Sequence, residues 1–258
     1  MLGSPQVRRA VAVVFEPAAR GLLRIGLSPD VVTVAGLIGL CVGALGFYPR
    51  GQLFAGTMII VAFVLSDALD GTMARLSGRS SRWGAFLDST LDRLGDAAIF
   101  GGLAWWFTAG GAQPWVAGLS LFCLVMGFET SYARARAEGL GFSATVGIAE
   151  RSERLIVILM AAGFTGLGVP FLLPVLLWLL AVASTVTVLQ RILAVRGQAL
   201  AAEDVSATRL EQRVEDRRRA RPHNVDGTVP VRASRRVARQ RRQGRSSGRA
   251  PGRRGGRR

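Results

Sequence analysis

Four aspartates, Asp67, Asp70, Asp88 and Asp92, stand in a stretch otherwise rich in Val, Ile, Leu, Phe and Ala. On a helix, the i,i+3 spacing of Asp67 and Asp70 puts both on one face, and the i,i+4 spacing of Asp88 and Asp92 does the same. Two such helices facing each other gather four negative charges at one point. A carboxylate taken from water without a partner costs several kcal/mol, so the cluster needs counter-charge, and divalent cations supply it. An all-oxygen donor set selects Mg²⁺, Mn²⁺ or Ca²⁺ over zinc or copper. Gly71, Ala74 and Gly84 leave room for a ligand or a neighbouring backbone, and Arg75 offers a planar fork matched to phosphate. Carboxylate-held metals, small residues and an arginine together describe a diphosphate site.

The elements that must position these groups are helices in a membrane. The 258-residue chain is 50% hydrophobic with mean hydropathy +0.32, and several apolar runs approach the ~20 residues needed to cross a bilayer. The pattern predicts an all-α polytopic protein with six transmembrane helices. They fall at about residues 31–48, 53–75, 83–107, 115–134, 154–166 and 171–193. Ser28 or Asp30 can cap the first, Pro29 opening it. The second ends with Asp67 and Asp70; the third begins with Asp88 and Asp92. Ahead of them, Val7, Val11, Val14, Phe15, Ala18, Leu22 and Ile25 form one stripe, with Arg8, Arg9, Arg20 and Arg24 mostly outside it. That pattern predicts an interfacial amphipathic helix over residues 1–28, bent or broken at Pro17. A signal peptide also begins basic, but here charges lie within the apolar part.

The charge is unevenly placed. Every basic residue is Arg; residues 196–258 hold 19 Arg against 6 acids, and residues 1–195 hold 14 against 11. Three parts follow: the N-terminal helix (1–28), a six-helix membrane domain (29–195) and an Arg-rich, largely disordered tail (196–258) in which 208–221 has the composition of a charged helix. Such a tail attracts anionic lipid at about 1 kcal/mol per Arg near the surface, and nothing in it specifies a nucleic-acid sequence. It is expected to be dispensable for catalysis. The far-side loops carry only Arg50, and the near side carries Arg8, Arg9, Arg79, Arg82, Arg134, Arg136 and Arg151. The positive-inside rule then puts both termini and the aspartates at the cytoplasmic face of the cell membrane. Cys41 and Cys123 sit in apolar runs and support neither a disulfide framework nor a zinc site, and His223 lies in the polar tail. Beside the aspartates, Arg134 closes the fourth span, Arg151 and Arg154 open the fifth, and Arg191 closes the sixth. Several arginines facing one cavity suit an acceptor that bears a phosphate.

The pattern D-x2-D-G-x2-A-R-x8-G-x3-D-x3-D, met at all eight fixed positions from Asp67 to Asp92, resembles the signature of the CDP-alcohol phosphotransferases. The resemblance implies transfer of a phosphatidyl group from CDP-diacylglycerol (CDP-DAG) to an alcohol, with release of CMP. It implies two Mg²⁺ ions, with Mn²⁺ as an alternative, on Asp67, Asp70, Asp88 and Asp92, and Asp92 as general base. Gly71, Ala74, Arg75 and Gly84 would border the CDP-DAG, together with Asp30 and Thr33 at the start of the first span. It also implies a homodimer.

The acceptor is read elsewhere. S-Y-x-x-A-R-A-E-G from Ser131 and E-R-x-E-R-L from Glu150 resemble the actinobacterial phosphatidylinositol-phosphate synthases, over about residues 15–195. That resemblance implies inositol 1-phosphate as acceptor, held by Ser131, Arg134, Arg151, Arg154 and Arg191. Arg134 stands where that family is expected to have Lys, which keeps the charge and changes its geometry. A phosphatidylglycerophosphate synthase using glycerol 3-phosphate is the alternative enzyme. A metal-dependent membrane transporter is the alternative of another class, though an ion path has no use for Gly-x-x-Ala-Arg between its carboxylates.

Overall fold

The computed structural model describes residues 5–78 and 81–219, with side chains at all of these except 5–14 and 66–68. Eight α-helices follow in order: α1 (Pro5–Arg24), α2 (Pro29–Cys41), α3 (Leu53–Val64), α4 (Ser66–Leu76), α5 (Arg82–Thr108), α6 (Pro114–Gly139), α7 (Arg151–Gly166) and α8 (Leu172–Arg219). The expected second span is therefore two helices, α3 and α4, meeting at Leu65. A π-helical stretch (Val42–Phe47) and a 3₁₀ turn (Tyr48–Arg50) continue α2. The described residues contain no strand.

Local chemistry fixes the helix starts. Ser28 Oγ accepts from Val31 N at 3.4 Å, with Pro29 at the first position of α2. Ser81 Oγ accepts from Gly84 N at 2.9 Å and caps α5, so the fixed glycine of the signature lies in a capped first turn. Glu150 and Glu153 form a reciprocal capping box at the start of α7. Helix α1 runs through Pro17 without a break. The proline lacks only one N–H, and its ring is exposed.

Four segments among the described residues are long and apolar enough to cross a bilayer: 29–50, 53–76, 114–139 and part of α8. Helix α5 has 27 residues but carries Asp88, Asp92, Arg93 and Asp96, and α7 has only 16 residues. By composition, then, four of the six expected spans are evident.

The helices meet through a core that includes Leu40, Tyr48, Ile99, Leu103, Phe107 and Ile158. Helix α5 packs against α2 and α6, α3 against α7, and α1 against α4. Ser120 Oγ donates to Phe100 O at 2.9 Å, joining α6 to α5, and Cys123 Sγ donates to Leu177 O at 3.4 Å, joining α6 to α8. A close backbone approach occurs at Gly102, where a Cβ would lie 2.4 Å from Ala44 O of the π-helical stretch.

The loop 140–150 is tied to one face of α8. Thr187 Oγ1 accepts from Ile148 N and Ala149 N at 3.2 and 3.1 Å. Arg191 Nε donates to Val146 O at 2.9 Å. The Gln198 amide pairs with both backbone groups of Ser143, at 2.9 and 2.6 Å. The tail is expected to begin at residue 196; helix α8 continues to Arg219, and the first compact unit of the chain ends at Ala202 and includes Gln198. The second unit begins at Glu203, and its helical residues up to Arg219 are exposed throughout. Residues 220–258, His223 among them, lie outside the described residues.

Gly102→Ala is expected to destabilise the protein by about 1–3 kcal/mol, because backbone on both sides must move apart. Gly101→Ala, with nothing within 4 Å of its Cβ, is expected to leave stability unchanged or raised by up to about 1 kcal/mol. Unfolding midpoints of the two detergent-solubilised variants check this contrast.

Candidate functional site

The first turns of α2 and α5 and the body of α4 enclose a cleft of about 390 Å³. Asp70, Asp88 and Asp92 line it, with Asp30, Thr33, Gly71, Ala74 and Gly84. These are eight of the ten residues predicted to bind metal or CDP-DAG. Of the other two, Asp67 lies in the first turn of α4, and its side chain lies outside the described residues. Arg75 does not line the cleft; its Nη2 donates to Thr72 Oγ1 at 2.9 Å, one turn back on the same helix.

The three described carboxylates differ in setting. Asp70 is buried and accepts from Thr33 Oγ1 at 2.5 Å, a contact that joins α4 to α2. Asp88, one turn before Asp92, is exposed. Asp92 is half-buried, and Arg151 Nη1 holds its Oδ1 at 2.8 Å. Among the described residues no three His, Cys, Asp or Glu side chains converge on one point. The donor set nevertheless fits a hard cation. It is all oxygen, and its like charges share one cleft. Beside it, a Cβ on Gly71 would meet nothing nearer than Arg75 Nη1 at 3.8 Å.

A second cleft, of about 340 Å³, lies between α5, α6, α7 and α8. All five residues predicted to hold the acceptor line it: Ser131, Arg134, Arg151, Arg154 and Arg191. They are not equivalent. Arg134 is exposed and pairs with Glu138 at 2.9 Å. Arg191 is 3% exposed and holds two backbone carbonyls, Val146 O and Thr130 O, so part of its work is to fix the loop 140–150. Arg154 is 2% exposed; its Nη1 donates to Ala149 O at 3.0 Å, and its Nη2, without a hydrogen bond, lies 3.8 Å from Asp96 Oδ2. Arg151 lines both clefts and joins them.

Two residues outside the predicted set hold this arrangement. Asp96, buried on α5, accepts from Arg151 Nε at 3.2 Å and from Arg93 Nη1 at 3.3 Å. Arg93 also donates to Ser131 Oγ at 2.6 Å. The signal in the sequence was the continued four-residue spacing of Asp88, Asp92 and Asp96, which puts all three on one helix face. A third groove, apolar and about 590 Å³, runs between α3 and α7 from Phe54 and Leu167 to Arg151.

Residues 27–188 match the sequence model of one family, CDP-alcohol phosphatidyltransferase. The phosphatidylinositol phosphate synthase of Streptomyces avermitilis is 50% identical over 201 residues, which cover 75% of this chain and 82% of that protein. The protein of that name from Mycolicibacterium smegmatis is 47% identical over 192 residues, covering 73% and 86%. The crystal structure of the Mycobacterium tuberculosis phosphatidylinositol phosphate synthase with CDP-DAG bound matches with a TM-score of 0.68 at 46% identity. The match covers 70% of this chain and 93% of that chain. Another crystal structure of that synthase, in complex with manganese and citrate, matches with a TM-score of 0.67 at the same identity, over 70% and 88%.

The contrast between Asp70 and Asp88 predicts opposite effects on stability. Thr33→Val leaves a buried carboxylate short of a hydrogen bond and is expected to destabilise by about 1–3 kcal/mol. Asp88→Asn removes one of several like charges at an exposed position and is expected to leave the unfolding midpoint unchanged or raise it. Thermal unfolding in detergent, without added divalent metal, separates the two.

Proposed function

The chain belongs to the CDP-alcohol phosphatidyltransferase family, and on that premise we propose that it transfers the phosphatidyl group of CDP-DAG to inositol 1-phosphate, releasing CMP. The observation that carries this reading is the meeting of a carboxylate cleft and an arginine cleft at one residue, Arg151. A donor diphosphate and a phosphorylated acceptor need such a pair of adjoining sites. The names of the relatives agree with that chemistry. Ion transport, the reading from another class, has no place in this family.

Asp67, Asp70, Asp88 and Asp92 would hold two Mg²⁺ or Mn²⁺ ions. When bound, the metal neutralises the diphosphate and the phosphate leaving on CMP. The chain's own residues do the rest. Asp30, Thr33, Gly71, Ala74 and Gly84 border the nucleotide, with room left by the small side chains. The apolar groove from Arg151 to Leu167 accepts acyl chain. The arginine cleft grips the acceptor phosphate, and Asp92 takes the proton of the inositol hydroxyl as that oxygen attacks the phosphatidyl phosphorus. A new P–O bond forms and the bond to CMP breaks. The Arg151 contact keeps the Asp92 carboxylate at the boundary between the two clefts.

We take α5 and α7 to complete six spans, with the clefts and both termini at the cytoplasmic face of the cell membrane. The arginine distribution supports that orientation, and helix α1 then lies in the cytoplasmic interface. Assembly as a homodimer rests on the family resemblance alone.

An acceptor panel with purified protein, CDP-DAG and Mg²⁺, read as CMP release, tests the reading. Inositol 1-phosphate is expected to react. Free inositol is expected to fall at least about a hundredfold lower in kcat/KM, because it leaves buried guanidinium groups unpaired. Glycerol 3-phosphate, without ring hydroxyls, is expected to be slow. If it proves the better acceptor, the chain is a phosphatidylglycerophosphate synthase.

The role of Asp92 has its own test. Asp92→Asn keeps the shape of the side chain and loses the base, so turnover is expected to fall by about 10²–10⁴-fold in a protein that still inserts and folds. Near-normal CMP release by this variant would remove the general base from the mechanism.

A further inference from the structure

Three guanidinium groups, those of Arg93, Arg151 and Arg154, line the acceptor cleft and converge on one carboxylate that does not line it. Asp96 is 3% exposed, one turn beyond Asp92 on α5. Its Oδ1 takes Arg151 Nε at 3.2 Å. Its Oδ2 takes Arg93 Nη1 at 3.3 Å and faces Arg154 Nη2 at 3.8 Å. The same Arg93 nitrogen reaches Ser131 Oγ at 2.6 Å. One side chain therefore fixes groups from α5, α6 and α7. We infer that Asp96 is the positioning residue of the acceptor-phosphate cleft: it acts through Arg93, Arg151 and Arg154 and touches neither substrate.

Charge and geometry both lead there. Three cations packed together repel one another. Asp92 carries one counter-charge, and its distances to Arg151 and Arg93 are 2.8 and 4.0 Å. Asp96 supplies the second, leaving the cluster one positive charge in excess, and Arg134 and Arg191 on the same cleft are matched there by Glu138 and Glu150. That balance holds the arginines in place while keeping the cleft attractive to a phosphate dianion. A guanidinium has five N–H donors. Asp96 takes one hydrogen bond from Arg93 and one from Arg151 and faces Arg154 at ion-pair distance, so a phosphate can be gripped by other N–H groups. Arg154, 2% exposed, has no other carboxylate within ion-pair distance among the described residues. Removal of the Asp96 charge leaves it a buried cation without counter-charge. Arg151 would then be held by Asp92 alone, drawn toward the metal cleft and away from the acceptor.

The inference rests on a phosphorylated acceptor, as proposed above, but not on which alcohol carries the phosphate. The test is steady-state kinetics of the full chain in lipid–detergent micelles, each substrate varied at saturation of the other. In Asp96→Asn the KM for inositol 1-phosphate is expected to rise about 10- to 100-fold, the range by which outer-shell partners tune the groups they orient. The KM for CDP-DAG is expected to stay at its wild-type value, and Asp96→Glu to recover part of the acceptor affinity. A folded Asp96→Asn protein whose two KM values are unchanged, or rise together, overturns the inference, as does a loss confined to kcat. Should Asp96→Asn not fold, Arg93→Gln carries the test, because that side chain is 25% exposed. It cuts the arm from Asp96 to Ser131 and should raise the acceptor KM alone; an unchanged acceptor KM overturns the inference. If wild-type protein prefers glycerol 3-phosphate, the inositol reading falls while this one is decided by the same split measured with that acceptor. Equal use of free inositol overturns both.

Discussion

Arg151 sits between two carboxylates of one helix, giving Nη1 to Asp92 Oδ1 at 2.8 Å and Nε to Asp96 Oδ1 at 3.2 Å. The rest of the site depends on this double ion pair. It docks the first turn of α7 onto α5 and brings an arginine to the wall of each cleft. Ion pairs at a wet surface contribute little. Here Asp96 is buried and Arg151 and Asp92 are about one-fifth exposed, so removal of one partner leaves a charge with nowhere favourable to go.

Because those charges are held among apolar helices, the surrounding packing must be close and its polar ends satisfied. Gly102 against Ala44 O lets α5 approach the π-helical end of α2. Thr187, Arg191 and Gln198 on α8 take up backbone groups of the loop 140–150, which leads directly into Arg151. An irregular segment with its polar groups answered in this way can sit beside a membrane domain without a desolvation penalty. The length of α8 has a purpose on this view. The turns that carry Arg191 and Gln198 hold the loop that leads into Arg151.

The carboxylate cleft is built on the opposite principle. Asp70 is anchored by Thr33, whereas Asp88 is left exposed, and four described aspartates stand in one cleft whose wall carries a single arginine, Arg151, with Arg93 4.0 Å from Asp92. Such an arrangement is poor for stability and suited to a hard cation and a diphosphate. The two clefts divide the work by sign of charge. On the proposed function one would take metal and donor and the other the acceptor anion, and Arg151 lines both.

Much of this was legible in the sequence because spacing on a helix is geometry. Asp67 to Asp92 carry the family signature, and the position of Arg134, Arg151, Arg154 and Arg191 at span ends on one side of the membrane points to a shared cleft, which they line. The starts of α2, α5 and α7 are set by local caps, so the sequence places them to within a few residues. Tertiary structure decided what depends on partners distant in the chain. It turned Arg75 back onto Thr72, made Arg191 a clamp for backbone carbonyls, carried α8 past residue 196, and gave Asp96 three arginines. A side chain with two possible partners is directed by which one the fold brings within about 3 Å, where an ion pair outweighs a longer contact. Periodicity shows which face of a helix a charge occupies; only packing shows which opposite charge is waiting there.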